Sequence, residues 1–188
     1  MCSSDLSKLQ LQIVAARAHE SRNKQAMDRY SIVSNAANEA RDLINEPGSV
    51  VYPEVMAEAS RKVAKSSGLD LKIWDEKRLA KEGFNGLVSV GKGSSRPPRL
   101  IRLAYRSRKA AHHVALVGKG VTFDTGGISI KPSDKMWEMK GDMSGGAAVL
   151  FAMKAIAALK PNVNVTGIIP AAENSPEDRK STRLNSSH

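Results

Sequence analysis

Cysteine is almost missing from the sequence, since Cys2 is the only one in 188 residues. This excludes an internal disulfide, a zinc site built from several thiolates and a disulfide-rich scaffold. Aromatic residues make up only 4% of the chain, so the core must consist mainly of aliphatic residues, Met and Ala. No apolar run approaches the length of a bilayer, and we expect no transmembrane helix. The N-terminus has no charged-then-apolar signal pattern, which indicates a cytoplasmic protein.

Basic residues outnumber acidic ones, with 29 Lys and Arg against 19 Asp and Glu and a formal net charge of +10. The length suits one domain, or one lobe of a larger protein, with a buried core. A basic cluster could bind an acidic partner such as nucleic acid. The clustered residues are Arg96, Arg99, Arg102, Arg106, Arg108 and Lys109. Because Tyr105 is the only aromatic residue among them, we favour a solvated edge or a subunit contact.

The two ends of the chain, residues 1–6 and 180–188, have no hydrophobic periodicity and no helix caps. Both resemble peptides that arise when a sequencing adapter is translated together with a genuine insert. We therefore expect these ends to be foreign to the fold, the alternative being ordinary disordered termini.

Apolar residues recur every three to four positions in several segments, which predicts amphipathic helices. One such helix covers 32–44 and is stopped by the Asn-Glu-Pro-Gly sequence that follows. A second helix is predicted to begin at Pro53 and to end at Gly68. A short charged helix is predicted at 75–82, and the longest helix at about 144–159.

Apolar and polar residues alternate at 69–74, 101–105 and 163–169, which predicts three strands. Short apolar runs at 87–90 and 114–117 predict two more strands, the second a central strand covered on both faces. Helices thus alternate with strands along the chain. This order predicts an α/β fold with a mixed central sheet flanked by helices.

The residues that can carry chemistry are concentrated between Gly118 and Asp142. Asp124 follows a short apolar strand, and Lys119 and Lys131 lie on the same glycine-rich loops. In open α/β sheets ligands bind at such strand ends. No His-Glu-x-x-His motif occurs, so a metal site here would need carboxylates and a less usual ligand.

Two simpler interpretations of these residues stay open. Asp142 directly precedes the helix at 144–159 and could only cap it. Lys119, between two glycines, could belong to a phosphate-binding loop, but the Gly-x-x-x-x-Gly-Lys-Ser/Thr spacing is absent.

Two segments of this region resemble a known family. GKGVTFDTGGISIKP at 118–132 and MKGDMSGGAA at 139–148 are similar to the catalytic-domain signature of the leucyl (cytosol) aminopeptidase family, peptidase family M17. The resemblance extends to ARDLINEP at 40–47, VGKGSSRPP at 90–98 and AENSP at 172–176. It implies that the α/β fold is the first part of a zinc-peptidase-like catalytic domain.

The resemblance implies a role for each matching residue. Lys119 and Asp124 match ligands of a pair of divalent metals, with Asp124 bridging both, and Asp142 matches a ligand of one of them. Lys131 matches the catalytic lysine, and Met139 matches a residue of the pocket for the first substrate side chain, so both would contact the substrate.

The same resemblance implies the cofactors and partners. The cofactors are two Mn²⁺ or Zn²⁺ ions, with Mg²⁺ as a further candidate, and bicarbonate in the full-length family. The substrates are peptides with a free N-terminus, and the full-length family assembles as a homohexamer. A pair of metals bridged by a carboxylate can activate water and polarise the scissile carbonyl, while Lys131, kept charged, can stabilise the resulting oxyanion.

The sequence departs from the family pattern in one motif. Asp-x-Glu-Gly-Arg, which supplies two further metal ligands and an arginine for bicarbonate, does not occur in the 188 residues. Three protein ligands are too few for two cations. We therefore expect a truncated, inactive fragment, with a helical linker at 7–46 from a mostly missing N-terminal domain and the N-terminal part of the catalytic domain at 47–179.

Three interpretations of the function follow. The first is a dinuclear-metal aminopeptidase that releases N-terminal amino acids of the leucine type, of which this chain is a part. The second is a short non-catalytic interaction protein. The third is a basic nucleic-acid-binding module, whose binding would weaken steeply with salt.

Overall fold

The computed structural model describes residues 20–176. The ends predicted to be foreign, residues 1–6 and 180–188, and the first part of the 7–46 linker lie outside the described residues. The helices are α1 (Glu20–Asn45), α2 (Pro53–Ser67), α3 (Glu76–Lys81), α4 (Asn85–Gly91) and α5 (Ser144–Leu159), with a 3₁₀ helix at Met136–Met143. The strands are β1 (Asp70–Trp74), β2 (Arg99–Tyr105), β3 (His113–Val117), β4 (Gly120–Asp124) and β5 (Asn164–Asn174).

The described strands form one mixed sheet, as predicted. β2 pairs in antiparallel fashion with both β1 and β5. β3 and β4 both run parallel to β5, β3 along its first half and β4 along its last residues. The strand order is therefore β1-β2-β5, with β3 and β4 following each other beside β5.

Helices cover both faces of this sheet. The main core lies between α1, α2 and α5 and one sheet face, and its fully buried members include Met56, Ile101, Leu103, Leu150, Met153 and Ile169. Burial of each of these side chains stabilises the fold by about 1.5–3 kcal/mol. On the other face α3 and α4 enclose a smaller cluster of Trp74, Leu79 and Leu100.

Local signals explain several helix ends. α2 begins with Pro53, whose fixed φ suits the first helical turn. It ends at Gly68, which has a φ of 66° and donates its N–H to the carbonyl of Ala64. The α3 helix is capped by the Asp75 carboxylate, which accepts the N–H of Arg78 at 2.8 Å. The helices predicted over 53–67 and 75–82 are therefore confirmed.

The strand predicted at 87–90 is wrong, because these residues belong to helix α4. Leu87 and Val88 pack against the cluster that contains Trp74 and Leu79. Four apolar residues in a row fit either period, so contacts with α3 and the sheet decide the local structure.

The prediction of a central strand at 114–117 is also wrong in its position. β3 pairs only with β5 among the described strands, and four of its five residues are exposed. The exposed fractions of Val114 and Val117 are 43% and 69%. β3 is therefore an edge strand within the described part of the chain.

Two further differences concern helices. α1, with 26 residues, is longer than α5, which was predicted to be the longest helix. One described stretch, Met136–Leu159, is long and apolar enough to cross a membrane, judged by length and composition alone. It is divided into a 3₁₀ helix and α5, and seven residues of α5 are buried within the fold. Its apolar character is therefore that of a core helix.

Candidate metal centre

Asp124 is the last residue of β4 and lies beside Asn174, the last residue of β5. The two strands run parallel, so their carboxyl ends meet at the same edge of the sheet. The β4–β5 register contains an irregularity between Val121 and Phe123, just before this end. Strand pairing therefore places a carboxylate and an amide side by side where an α/β sheet offers a ligand site.

The Asp124 carboxylate is held by three donors. The Asn174 amide donates to Oδ1 at 2.7 Å, and the N–H of Gly126 donates to the same atom at 3.0 Å. Lys131 Nζ donates to Oδ2. Burial by itself raises the pKa of Asp124, but the hydrogen bonds from Lys131, Gly126 and Asn174 and the charge of Lys131 outweigh it. The pKa of Asp124 therefore lies below its ordinary value, and the group is ionised near neutral pH.

Asp142 lies in the 3₁₀ helix and forms an ion pair with Lys119, with Oδ1 and Nζ 2.7 Å apart. The alternative that Asp142 caps α5 is not supported, because the N-cap position is Met143 and no side-chain cap bond occurs there. The other oxygen, Oδ2, is buried and has no hydrogen-bond partner among the described residues. A buried carboxylate oxygen without a donor is an acceptor that suits a cation.

Glycines let the two loops of this ion pair touch. The N–H of Gly146 donates to the carbonyl of Lys119 at 2.7 Å. A Cβ atom on Gly118 would lie 2.2 Å from the carbonyl oxygen of Gly145, which no side chain could occupy. The start of α5 therefore packs directly on the loop before β4, and this contact brings Lys119 to Asp142.

Lys131 and Met139 meet beside Asp124. Lys131 Nζ lies 3.3 Å from Met139 Sδ, in addition to its bond to Asp124. The loop that returns Lys131 to Asp124 is closed by the N–H of Lys131, which donates to the carbonyl of Thr125 at 2.8 Å. The turn requires positive φ at Gly126, where φ is 91°.

The structure thus arranges the predicted charged residues as two lysine–carboxylate pairs, Lys131–Asp124 and Lys119–Asp142. The 3₁₀ helix that carries Asp142 packs against β4, which ends at Asp124. Within residues 20–176 no group of three or more His, Cys, Asp or Glu side chains is close enough to hold a metal ion. The two carboxylates and the Lys119 amine fit divalent metals chemically, but they supply only part of a coordination shell.

Asn174 and Glu173 have no role in the prediction from sequence, and Arg96 appears there only as a member of the basic cluster. Glu173 is 5% exposed and pairs with Arg96 at 3.0 Å. Arg96 also donates to the carbonyl of Gly48 at 3.0 Å. The available signal was a polar pair, Glu-Asn, at the end of a mostly apolar strand.

Two cavities of about 550 Å³ each flank the paired ends of β4 and β5. The first is lined by Phe123 and Glu173 among others. Neighbouring residues of a strand point to opposite faces, so this cavity lies away from the Asp124 carboxylate. The second is lined by Gly126 and Asn174 and borders the loop that follows Asp124.

The six clustered basic residues do not form one patch. Three of them are neutralised in ion pairs, which are Arg96–Glu173, Arg99–Glu54 and Arg102–Asp70. The other three, Arg106, Arg108 and Lys109, border a cleft of about 640 Å³ after the end of β2, at the sheet edge opposite Asp124. Half of the cluster is thus committed to structural ion pairs rather than to an acidic partner.

The fold and the paired lysines and carboxylates define a class of protein, an α/β domain with a candidate metal site at the ends of parallel strands. A family model described as "Cytosol aminopeptidase family, catalytic domain" matches residues 38–185. The chain belongs to this family, and the resemblance drawn from its motifs is confirmed.

Curated relatives support the assignment. A probable cytosol aminopeptidase of Persephonella marina is 45% identical over 170 residues, which cover 90% of this chain and 34% of the relative. A probable cytosol aminopeptidase of Aquifex aeolicus is 53% identical over 147 residues, which cover 78% of this chain and 30% of the relative. The chain therefore spans about a third of the length of these relatives.

Solved structures share the fold. The bottromycin maturation enzyme BotP in complex with Mn aligns with a TM-score of 0.80 and 38% identity, over 88% of this chain and 35% of that one. The cytosol aminopeptidase from Coxiella burnetii aligns with a TM-score of 0.76 and 38% identity, over 82% and 34% respectively. These matches support the aminopeptidase interpretation, and they give no support to an interaction protein or a nucleic-acid-binding module.

Proposed function

We propose that this chain is the part of a dinuclear-metal aminopeptidase that supplies Lys119, Asp124 and Asp142 as metal ligands. Lys131 is the catalytic cation, and Met139 lines the substrate pocket beside it. The observation that carries the proposal is the gathering of two lysine–carboxylate pairs around β4, one of which leaves a buried carboxylate oxygen without a donor.

Asp124, Asp142 and Lys119 would each contribute to metal binding in a different way. Bound divalent metals would supply Lewis acidity to polarise the peptide carbonyl and to activate water. Asp124 is already ionised, and Asp142 offers its unpartnered oxygen. Lys119 would leave Asp142 and contribute its Nζ to the site. Mn²⁺ or Zn²⁺ suits this donor set, with Mg²⁺ as the harder alternative, and the manganese in BotP supports Mn²⁺.

Lys131 and Met139 define where the substrate lies. The Lys131 side chain donates to Asp124 and can move from there to the oxygen of the scissile carbonyl as negative charge develops on it. The Met139 thioether, 3.3 Å from Lys131 Nζ, provides an apolar wall next to the reacting bond. We propose peptides with a free N-terminus and an apolar first residue as substrates.

We propose that the chain supplies only part of the catalytic machinery, because three protein ligands are too few for two cations. Because Asp-x-Glu-Gly-Arg is absent from the sequence, we propose that the chain alone binds metals weakly and has no peptidase activity. For the longer protein we propose bicarbonate as a further cofactor, a homohexameric assembly and a cytoplasmic location, as in the family. Metal-dependent release of leucine from leucyl-p-nitroanilide by the purified chain would refute the proposed inactivity.

Titration of Mn²⁺ into the purified chain, followed by calorimetry and by the loss of the free-ion electron paramagnetic resonance signal, tests the ligand assignment. Asp124→Asn and Asp142→Asn should each weaken Mn²⁺ binding by about tenfold or more. Asp70→Asn is the matched control, because Asp70 is also paired with a basic residue but lies on β1, away from the site. Equal Mn²⁺ affinity in all four proteins would refute the assignment.

A further inference from the structure

We propose that Asn174 is a positioning residue, which orients the Asp124 carboxylate before any metal binds. The inference rests on the proposed function in one respect only, the identification of Asp124 as a metal ligand. Asn174 itself donates through its side chain and is not proposed to bind metal.

The geometry fixes one oxygen of Asp124. Asn174 Nδ2 and the Gly126 N–H both donate to Oδ1, at 2.7 and 3.0 Å. Two donors on one oxygen define the rotation of the carboxylate about its Cβ–Cγ bond. Oδ2 is then directed towards Lys131, the position where a cation is already present in the form of its ammonium group.

Asn174 also holds the backbone next to this carboxylate. Its carbonyl oxygen accepts the N–H of Thr125 at 2.9 Å and the Thr125 hydroxyl at 3.0 Å. The main chain of Asn174 therefore fixes the residue after Asp124, while its side chain fixes the carboxylate. The two functions use different atoms and can be separated by experiment.

The end of β5 is itself anchored from the other face of the sheet. Glu173 is buried there and accepts from Arg96 at 3.0 Å and from the Ser94 hydroxyl at 2.9 Å. Arg96 in turn donates to the carbonyl of Gly48 and stacks over the ring of Tyr52, 4.6 Å from its centroid. The residue before Asn174 is thus held by an ion pair whose carboxylate is buried.

The residue type suits the task. A neutral amide donates to Asp124 without adding a negative charge that would repel it. The space around the amide is also restricted, because a Cβ atom on Gly127 would lie 2.8 Å from Asn174 Oδ1. The positive φ of Gly127, 72°, further favours glycine there.

Amide hydrogen exchange in the metal-free chain tests the positioning role directly. Asn174→Leu keeps the branched shape of the side chain and removes the donor. We expect exchange of the Gly126 amide to accelerate about tenfold or more, because its acceptor is free to rotate, while the Thr125 amide keeps its protection from the Asn174 carbonyl. Unchanged exchange at Gly126, or equal loss at both amides, would overturn the proposal, the second by indicating simple fraying of the strand end.

Mn²⁺ titration provides the second arm. Asn174→Leu should weaken Mn²⁺ binding by about 10–100-fold, the usual effect of removing a group that orients a ligand. Asn164→Leu is the matched control, since Asn164 lies at the other end of β5 and accepts from the Ser107 N–H at 3.0 Å. Wild-type affinity in Asn174→Leu would refute the metal-linked part of the proposal. If the wild-type chain itself binds no Mn²⁺, the proposed function fails in this chain, and the exchange of Gly126 still decides whether Asn174 orients Asp124.

Discussion

Glycine determines how closely the start of α5 approaches the loop before β4. A Cβ atom at Gly118 would lie within 3 Å of the Gly145 carbonyl and the Val149 side chain. The Gly145 carbonyl belongs to the main chain, so it can give way only if the start of α5 moves away from the loop before β4. Gly118 therefore has a packing role, which the phosphate-binding-loop interpretation of Gly-Lys-Gly does not include.

We predict that Gly118→Ala lowers the free energy of unfolding by about 1–3 kcal/mol, the usual penalty for overpacking a close contact. Gly86→Ala is the control, because a Cβ atom at Gly86 meets nothing within 4 Å and Gly86 lies inside helix α4. It should raise stability by about 0.5–1 kcal/mol. Urea unfolding of both variants measures the difference, and equal effects would contradict the close-packing argument.

The sequence predicts which residues form the candidate site but not how they pair. The acids and lysines between Gly118 and Asp142 were identified from their types and spacing. Their pairing was not, because whether Asp142 caps a helix or binds Lys119 depends on how two loops pack. The sequence contained no signal that the Asn174 side chain reaches Asp124, since the two residues meet only through the register of β4 and β5.

Among the elements, the predictable ones carry their own start and stop signals. Pro53 and Gly68 delimit α2, and the apolar–polar alternation of β1 is visible in its residues. The run at 87–90 has no such signal and becomes helical through contacts with Trp74 and Leu79. The position of β3 in the sheet is likewise non-local, because an apolar run alone does not say which strand lies beside it.

An ion-pair cluster joins α2 to β2 and makes their packing sensitive to pH. Glu54 accepts from Arg99 at 2.6 Å and from Arg61 at 2.9 Å. Burial by itself raises the pKa of Glu54, but the two guanidinium groups outweigh it and lower the pKa below its ordinary 4.5. Ionised Glu54 therefore stabilises the fold above pH 4.5, and this stabilisation is lost as the pH falls through the lowered pKa.

We predict that Glu54→Gln lowers stability at pH 7 by about 1 kcal/mol or less, since the Glu54 side chain is 41% exposed and screened by solvent. The difference from the wild type should shrink as the pH is lowered from 5 to 3. Thermal unfolding at several pH values measures it. A difference that is constant over this range would show that the lost packing, and not the charge, is responsible.

At the scale of the whole molecule, the sheet has an open edge along β3 in the described part of the chain. Val117 is 69% exposed on this strand. An apolar edge with unpaired backbone groups is a template for pairing with another chain. In relatives about three times as long, the additional residues have room to cover such an edge.

We predict that the 188-residue chain self-associates through β3 and that Val117→Lys reduces this association. Val90→Lys is the matched control, because Val90 is also exposed, at 41%, but lies in helix α4. Sedimentation velocity over a range of concentrations should show a smaller associated fraction for Val117→Lys only. Equal suppression by the two lysines would mean that net charge, and not the strand edge, controls association.

The pairing of Asp124 with Asn174 also has a consequence for folding kinetics. The two residues are 50 positions apart, and α5 lies between their strands. The chain must close this long crossover before the carboxylate acquires its orientation. The conformational entropy of the crossover is lost before the contacts between its ends can stabilise the fold. We therefore expect the contact between Asp124 and Asn174 to form late in folding. If Asp124 binds Mn²⁺ as proposed, added Mn²⁺ should slow unfolding and leave the refolding rate almost unchanged, which stopped-flow refolding and unfolding in urea measure.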